Sequence, residues 1–384
     1  MTSHNVIPLS VPSIGDLEFD YVADAVRSGF VSSVGAYVNR FEEEFATAVG
    51  AKYAVACATG TAALHIALKI VGVEAGDEVV VADFTFIGSV NPVAYLGAEP
   101  LLVDSERETW NLDPELLVDA LTQRVARGEK LPKAVEVVHV LGQPARIEPV
   151  LDFCAEHGIA VVEDAAESLG AGWATGPLAG RHTGVVGTVG AFSFNGNKIA
   201  TTGGGGMIVT DDEALARRAR HLTTQAKLPD IGYLHDEVGY NYRLTNLSAA
   251  LGVAQLERLP EFVKSKAEIA RRYDSALGDV GLVLPPRREF SNATYWLYSV
   301  LMPDGATAAD RNRLLEHLQG VGIQARSLWR PLHLQPPFAD ARRLGGTVGE
   351  DLFERGVSLP CSSSLIAEDQ DRVIEAVLGY FEKN

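Results

Sequence analysis

Short apolar runs alternating with helical patterns constrain this chain more than any other feature. Residues 53–57, 78–81, 101–103, 134–140 and 159–162 are brief runs dominated by valine, isoleucine, leucine and alanine. Runs of that length suit strands buried on both faces. Between them, 61–68, 91–96, 113–122 and 147–157 carry helical patterns. Asp113-Pro114 suits a helix start and Gly158 a helix stop. Strands joined by helices return parallel, so the chain predicts an α/β fold with a doubly wound, mostly parallel sheet. An extended arm over 8–13 and helical patterns over 17–28 and 38–49 precede the first strand. A long amphipathic stretch, 246–273, contains Pro260, which predicts a kink or a division. Beyond it, helices flank strands predicted near 295–301 and 322–326. The expected division is a large domain over 1–263, including the arm, and a smaller C-terminal α/β domain over 264–384.

Chemistry concentrates in 191–210, AFSFNGNKIATTGGGGMIVT. A short strand pattern runs into the polar turn Asn195-Gly196-Asn197-Lys198. Thr201-Thr202 and four glycines, Gly203 to Gly206, lead to a second strand. Four consecutive glycines cost conformational entropy and imply that backbone approaches something closely. Lys198 then stands where a carbonyl compound could form an imine. Taken alone, the stretch reads equally well as an exposed hairpin. The 159–162 strand runs into Glu163-Asp164-Ala165-Ala166-Glu167, which puts a carboxylate at a strand's C-terminal end, where α/β sheets bind ligands. An Asp there and an imine-forming Lys together suit pyridoxal phosphate, whose ring nitrogen the Asp keeps protonated. Thr61 opens a helix after a small-residue turn, a position suited to phosphate or to ordinary capping. His65 is expected to be a core or edge residue.

The chain has 384 residues, 47% of them hydrophobic, and a net charge of −17 with no basic stripe, which argues against nucleic-acid binding. No apolar run reaches membrane-spanning length. Cys57, Cys154 and Cys361 are scattered without paired spacing, so neither a disulfide framework nor a metal site is expected. With no signal-peptide pattern at the N-terminus, these features point to a cytoplasmic protein.

Five stretches in order carry a resemblance: ATGTAALHIAL (58–68), DFTFIGSVNPVAYLGAEPLLVD (83–104), VVEDAAESLGA (161–171), GAFSFNGNKIATTGGGGMIVT (190–210) and GYNYRLTNLSAALGVAQLERL (239–259). With them the chain resembles the pyridoxal phosphate-dependent sugar aminotransferases of the DegT/DnrJ/EryC1/StrS family, of the aspartate aminotransferase fold (fold type I). The resemblance implies Lys198 as the Schiff-base lysine and proton carrier, and Asp164 as partner of the pyridine nitrogen. It implies Gly60, Thr61 and Ser193 as the phosphate cup, Phe86 as the ring-stacking aromatic, and Glu167 near the ring hydroxyl or the substrate. Asn241 would reach the phosphate of a neighbouring subunit, making a homodimer with shared sites. Arg326, Trp329, Arg330 and His333 would line the sugar-nucleotide entrance.

The resemblance further implies L-glutamate as amino donor and a nucleotide-linked keto sugar as acceptor. The EDAAES and FNGNKIATTGGGG wording is most similar to the branch that aminates C4 of UDP-4-keto-6-deoxy-N-acetylhexosamines, serving bacillosamine and legionaminic acid pathways. A dTDP- or GDP-linked keto sugar, a 3-keto sugar, an inosose, or a regulator without turnover are the alternatives.

Overall fold

In the computed structural model, residues 6–228 and 232–382 are described. Helices α1 (Asp16–Arg27) and α2 (Ala36–Val49) come first. Gly29 and Gly50 follow them at φ 78° and 77°, the left-handed backbone that ends a helix at little cost to glycine. Then β1 (Tyr53–Cys57), α3 (Gly60–Ile70), β2 (Glu78–Ala82), α4 (Asn91–Tyr95), β3 (Glu99–Val103), α5 (Pro114–Arg127), β4 (Ala134–Val138), α6 (Glu148–His157) and β5 (Ala160–Asp164) alternate as predicted. The short β6 (Gly172–Trp173) precedes β7 (Val189–Ser193), β8 (Gly206–Thr210) and α7 (Glu213–Thr223). After α8 (Asn246–Glu257) and α9 (Leu259–Leu277) come β9 (Ser291–Asn292), β10 (Tyr298–Leu301), α10 (Ala308–Gly320) and β11 (Arg326–Ser327). The chain continues through β12 (Arg342–Leu344), α11 (Val348–Arg355), β13 (Gly356–Leu359) and α12 (Ala367–Phe381).

Eight strands form one sheet in the order β1-β8-β7-β5-β4-β2-β3-β12. All neighbours are parallel except β8, which runs antiparallel to β1 and to β7. The glycine-rich stretch thus turns the chain back from β7 into β8. Both sheet faces are buried. Val79 and Val81 pack with Leu64 and Leu68 of α3, whereas Val80 and Ala82 pack with Leu117 of α5 and Phe153 of α6. That two-sided burial explains why these strands read as unbroken apolar runs.

The stretch 246–273 is two helices divided at Arg258, and Pro260 sits in the first turn of α9, where its missing N–H costs nothing. The expected strand 295–301 begins only at Tyr298. Upstream, the N–H groups of Thr294 and Trp296 donate to Gly142 and Leu141 carbonyls at 3.0 and 3.1 Å, and Tyr295 has φ 49°. Likewise the strand expected over 322–326 is confined to Arg326–Ser327, because Gly322 and Ile323 pair with Ile7 of the N-terminal arm. A separate core of α9, α10, α12, β10 and β13 encloses Ile7. Helix α9 crosses residue 264 unbroken, and β12 extends the large sheet beside β3.

Candidate active site

A cavity of about 510 Å³ opens at the carboxyl ends of the central strands. Gly60, Thr61, Phe86, Asp164, Glu167, Ser193, Lys198, Arg326 and Trp329 all line it. Asn241, Arg330 and His333 are not among its lining residues.

Strand β5 ends at Asp164, 4% exposed. Its Oδ2 accepts from Ser89 Oγ at 2.7 Å, and Ser89 Oγ lies 2.9 Å from Thr85 Oγ1. Its Oδ1 accepts from the Ala166 N–H at 3.0 Å. Burial pushes the Asp164 carboxyl above its usual range, partly offset by these bonds and by Lys198. Glu163, one residue earlier, points to the other sheet face. There it meets His139 Nε2 at 2.9 Å and accepts the N–H groups of Gly184, Val186 and Gly187. Burial alone would raise Glu163, but those bonds outweigh it and hold the carboxyl low. Alternation along one strand therefore separates a structural carboxylate from a ligand-facing one.

Lys198 ends the turn after β7, its backbone N–H bonded to the Asn195 carbonyl at 3.0 Å. Its Nζ lies 3.6 Å from Glu167 Oε1 and 3.7 Å from the centroid of the Trp296 ring. Burial lowers the Lys198 pKa, against the pull of Glu167 and Asp164. Burial also pushes Glu167 up to about 7, against Lys198 and the Leu141 N–H, which donates to Oε2 at 2.8 Å.

Only part of the glycine run is closely packed: Gly203, at φ 80°, and Gly204 have open space where a Cβ would sit, whereas Gly205 and Gly206 do not. A Cβ on Gly206 would fall 2.3 Å from the Thr59 carbonyl oxygen, and one on Gly60 would fall 2.7 Å from Ser193 Cβ. So β8 crosses directly behind the start of α3, where Thr59 caps the helix by accepting from the Ala62 N–H at 3.0 Å. This brings the Thr61 and Ser193 hydroxyls to one wall of the cavity beside the first turn of α3. Phe86 is 55% exposed on the cavity wall, not packed in the core.

The donor set fits pyridoxal phosphate: a strand-end carboxylate, an amine with depressed basicity, two hydroxyls at a helix N-terminus and an open aromatic face. Lys198 would hold the aldehyde carbon, Asp164 the ring nitrogen, and Thr61, Ser193 and the α3 N–H groups the phosphate.

Two of the residues expected at the sugar entrance lie elsewhere. His333 Nδ1 is 2.5 Å from Asp83 Oδ2, its Nε2 3.3 Å from Glu350 Oε1, and its backbone N–H donates to Asp83 Oδ1. Arg330 lies over the Phe353 ring at 5.4 Å. A buried aspartate captures the histidine, and the chain after Trp329 turns away from the cavity. Trp329 stacks on Trp296 at 6.1 Å and 12°. Asn241 is exposed and pairs with Thr224, while its neighbours anchor the segment: Tyr242 accepts the Ala58 N–H, and Arg243 bonds Glu42. His65 is buried against Tyr240, its Nδ1 3.3 Å from the Tyr242 hydroxyl, as a core histidine.

Sequence reasoning missed Ser89, Trp296 and Glu136. Ser89 lies within a recognised stretch but offers no local signal beyond a hydroxyl near Asp83. Trp296 reaches the site only through tertiary packing. Glu136, on β4, is fully buried, and neither carboxyl oxygen has a partner among the described residues. Burial, with Asp164 adding to it, pushes its carboxyl well above the usual range.

Residues 12–378 match the family described as DegT/DnrJ/EryC1/StrS aminotransferase family. The chain is 42% identical over 383 residues to a Bacillus subtilis (strain 168) protein named "Putative pyridoxal phosphate-dependent aminotransferase EpsN", covering 98% of this chain and 96% of that one. It is 37% identical to the GDP-perosamine synthase of Caulobacter vibrioides, over 97% of each. Its structure resembles that of a DegT DnrJ EryC1 StrS aminotransferase from Brucella abortus, with a TM-score of 0.87, 30% identity and 95% of both chains covered. A match of this extent, joined to a largely buried lysine beside Glu167 in the cavity that Asp164 also lines, means that the chain belongs to the DegT/DnrJ/EryC1/StrS aminotransferase family.

Proposed function

We propose that this enzyme takes the amino group of L-glutamate onto pyridoxal phosphate and delivers it to C4 of UDP-4-keto-6-deoxy-N-acetylglucosamine. The observation that carries the reading is one cavity joining Lys198, Asp164 and the hydroxyl cup of Thr61 and Ser193. When bound, the cofactor ring delocalises the electron pair left as a C–H bond of the amino compound breaks. Asp164 holds the proton on the ring nitrogen. Lys198, once its amine is free, carries a proton between substrate and cofactor carbons. Glu167 holds or releases a proton beside that amine, and Phe86 covers one ring face. Lys198 and Arg326 are the only cations among the lining residues. With Lys198 engaged, Arg326 is left to meet the carboxylate of glutamate or the diphosphate of the sugar nucleotide.

A second reading, a GDP-linked keto sugar, is supported by the identity to GDP-perosamine synthase. The working unit is a homodimer in which Asn241 reaches the partner's phosphate, a role supported by its exposure. A cofactor-binding domain over 1–263 and a smaller one over 264–384 are supported by the separate C-terminal core, with α9 continuous across the boundary and β12 lent to the large sheet. A cytoplasmic location is supported by three free buried cysteines and by the absence, among the described residues, of any helix long and apolar enough to cross a membrane.

Borohydride reduction followed by peptide mapping should place the cofactor on Lys198. Incubation with glutamate and a panel of UDP-, GDP- and dTDP-linked keto sugars, read by mass, identifies the acceptor. Amination of only the GDP-linked sugar would replace the UDP reading; amination of none would reject both.

A further inference from the structure

Lys266, on α9, is a cation 3% exposed and outside the cavity lining. Its Nζ donates to the Trp296 carbonyl at 2.9 Å and the Cys361 carbonyl at 2.6 Å, and lies 3.7 Å from Cys361 Sγ. Burial lowers its pKa, and no carboxylate is bonded to it among the described residues. An amine so placed is costly to bury unless its hydrogen bonds fix something. What they fix is Trp296. The indole N–H donates to the Asn197 carbonyl at 2.7 Å, next to Lys198, and the ring lies over Lys198 Nζ.

We infer that Lys266 is a positioning residue for Lys198: by tying the Trp296 and Cys361 carbonyls together, it sets the indole face over the Lys198 amine. An aromatic face favours the charged amine. The ring therefore works with the Glu167 and Asp164 carboxyls, the charged groups that face Lys198, against the effect of burial. Only the catalytic consequence rests on the reading of Lys198 as the imine lysine. The placement itself does not.

The test titrates Lys198 in the cofactor-free full chain, by trace acetic-anhydride labelling across pH with peptide mass analysis. Lys266→Met should lower the Lys198 pKa by about half a unit to one unit. Trp296→Leu should give the same shift, and the double variant no more than either alone, because the two residues act in series. An unshifted pKa in Lys266→Met, or additive shifts in the double variant, overturns the inference. If Lys266→Met does not fold, Lys266→Leu, which also offers no donor to the two carbonyls, carries the same test. Failure of both to fold also overturns it, leaving Lys266 as a folding residue. Borohydride mapping on the wild type tests the imine reading separately, since cofactor on another lysine would defeat that reading and leave the placement of Trp296 untouched.

Discussion

Glu167 Oε1 lies 3.6 Å from Lys198 Nζ, and the two side chains are only 5% and 13% exposed. Burial raises the acid to about 7 and lowers the base, so the pair changes its proton count near neutrality. Above about 7, Glu167 is ionised and keeps a negative charge beside the amine. Below it, the protonated acid no longer does so. The expected kcat/KM profile therefore falls as pH drops below about 7, and Glu167→Gln should remove that limb. A limb that persists unchanged in the variant would belong to another group.

Asp164→Asn preserves shape but removes the charge that holds a proton on the ring nitrogen. The rate should fall by several orders of magnitude with the fold intact. Ser89→Ala leaves the charge and removes one bond to Oδ2, so it should cost about ten-fold or somewhat more, in line with a hydrogen bond to a charged group. Circular dichroism checks the fold, and single-turnover kinetics with glutamate give the rate. Equal losses in the two variants would contradict this ordering.

Gly206→Ala places a methyl 2.3 Å from the Thr59 carbonyl oxygen and 2.8 Å from the Gly60 nitrogen. Either β8 or the start of α3 must shift, at about 1–3 kcal/mol. Cofactor affinity should fall more than thermal stability, because the displaced backbone is the expected phosphate cup. Gly196→Ala meets nothing within 4 Å and serves as the control. Cofactor titration by absorbance, beside melting curves, separates the two effects.

The alternation of strands and helices was legible because each element announces itself within a dozen residues. Asp164 and Lys198 were legible because a strand end and a glycine-rich turn are local patterns. Trp296 was not, because its contact with Lys198 is made by a segment whose backbone bonds to Leu141 and Gly142 instead of continuing β10. The sequence RSLWRPLH suggested one polar-aromatic cluster, but only Arg326 and Trp329 of its four candidates face the cavity. Asp83, buried at the end of β2, holds His333 away from it. Which side chain a buried aspartate captures is a tertiary matter that spacing does not encode.

Glu136 offers a stability test. Its folded carboxyl sits well above the ordinary value of 4.5 because of burial, so the native state binds the proton more tightly than the unfolded chain. The stability this contributes is fully present below the unfolded value and is lost as pH rises toward the folded one. Glu136→Gln lacks that titration. On going from about pH 5 to 8 the variant should therefore gain on the wild type, by at most about 1.4 kcal/mol per pH unit. Melting temperatures at both pH values check it. A constant difference would mean that Glu136 finds a partner or water in solution.

The shared-site dimer can be tested without a structure of the assembly. Asn241→Asp places a negative charge where the partner's phosphate would sit and should nearly abolish activity. Lys198→Ala should do the same by removing the amine. When the two inactive homodimers exchange subunits, each mixed dimer has one site with both lesions and one with neither. Random mixing makes about half of the dimers mixed, so roughly a quarter of wild-type activity should return. If Asn241 served the site of its own chain, every site would keep one lesion and no activity would return, even with subunit exchange confirmed by native mass spectrometry. That result would reject the shared site and assign Asn241 to the site of its own chain.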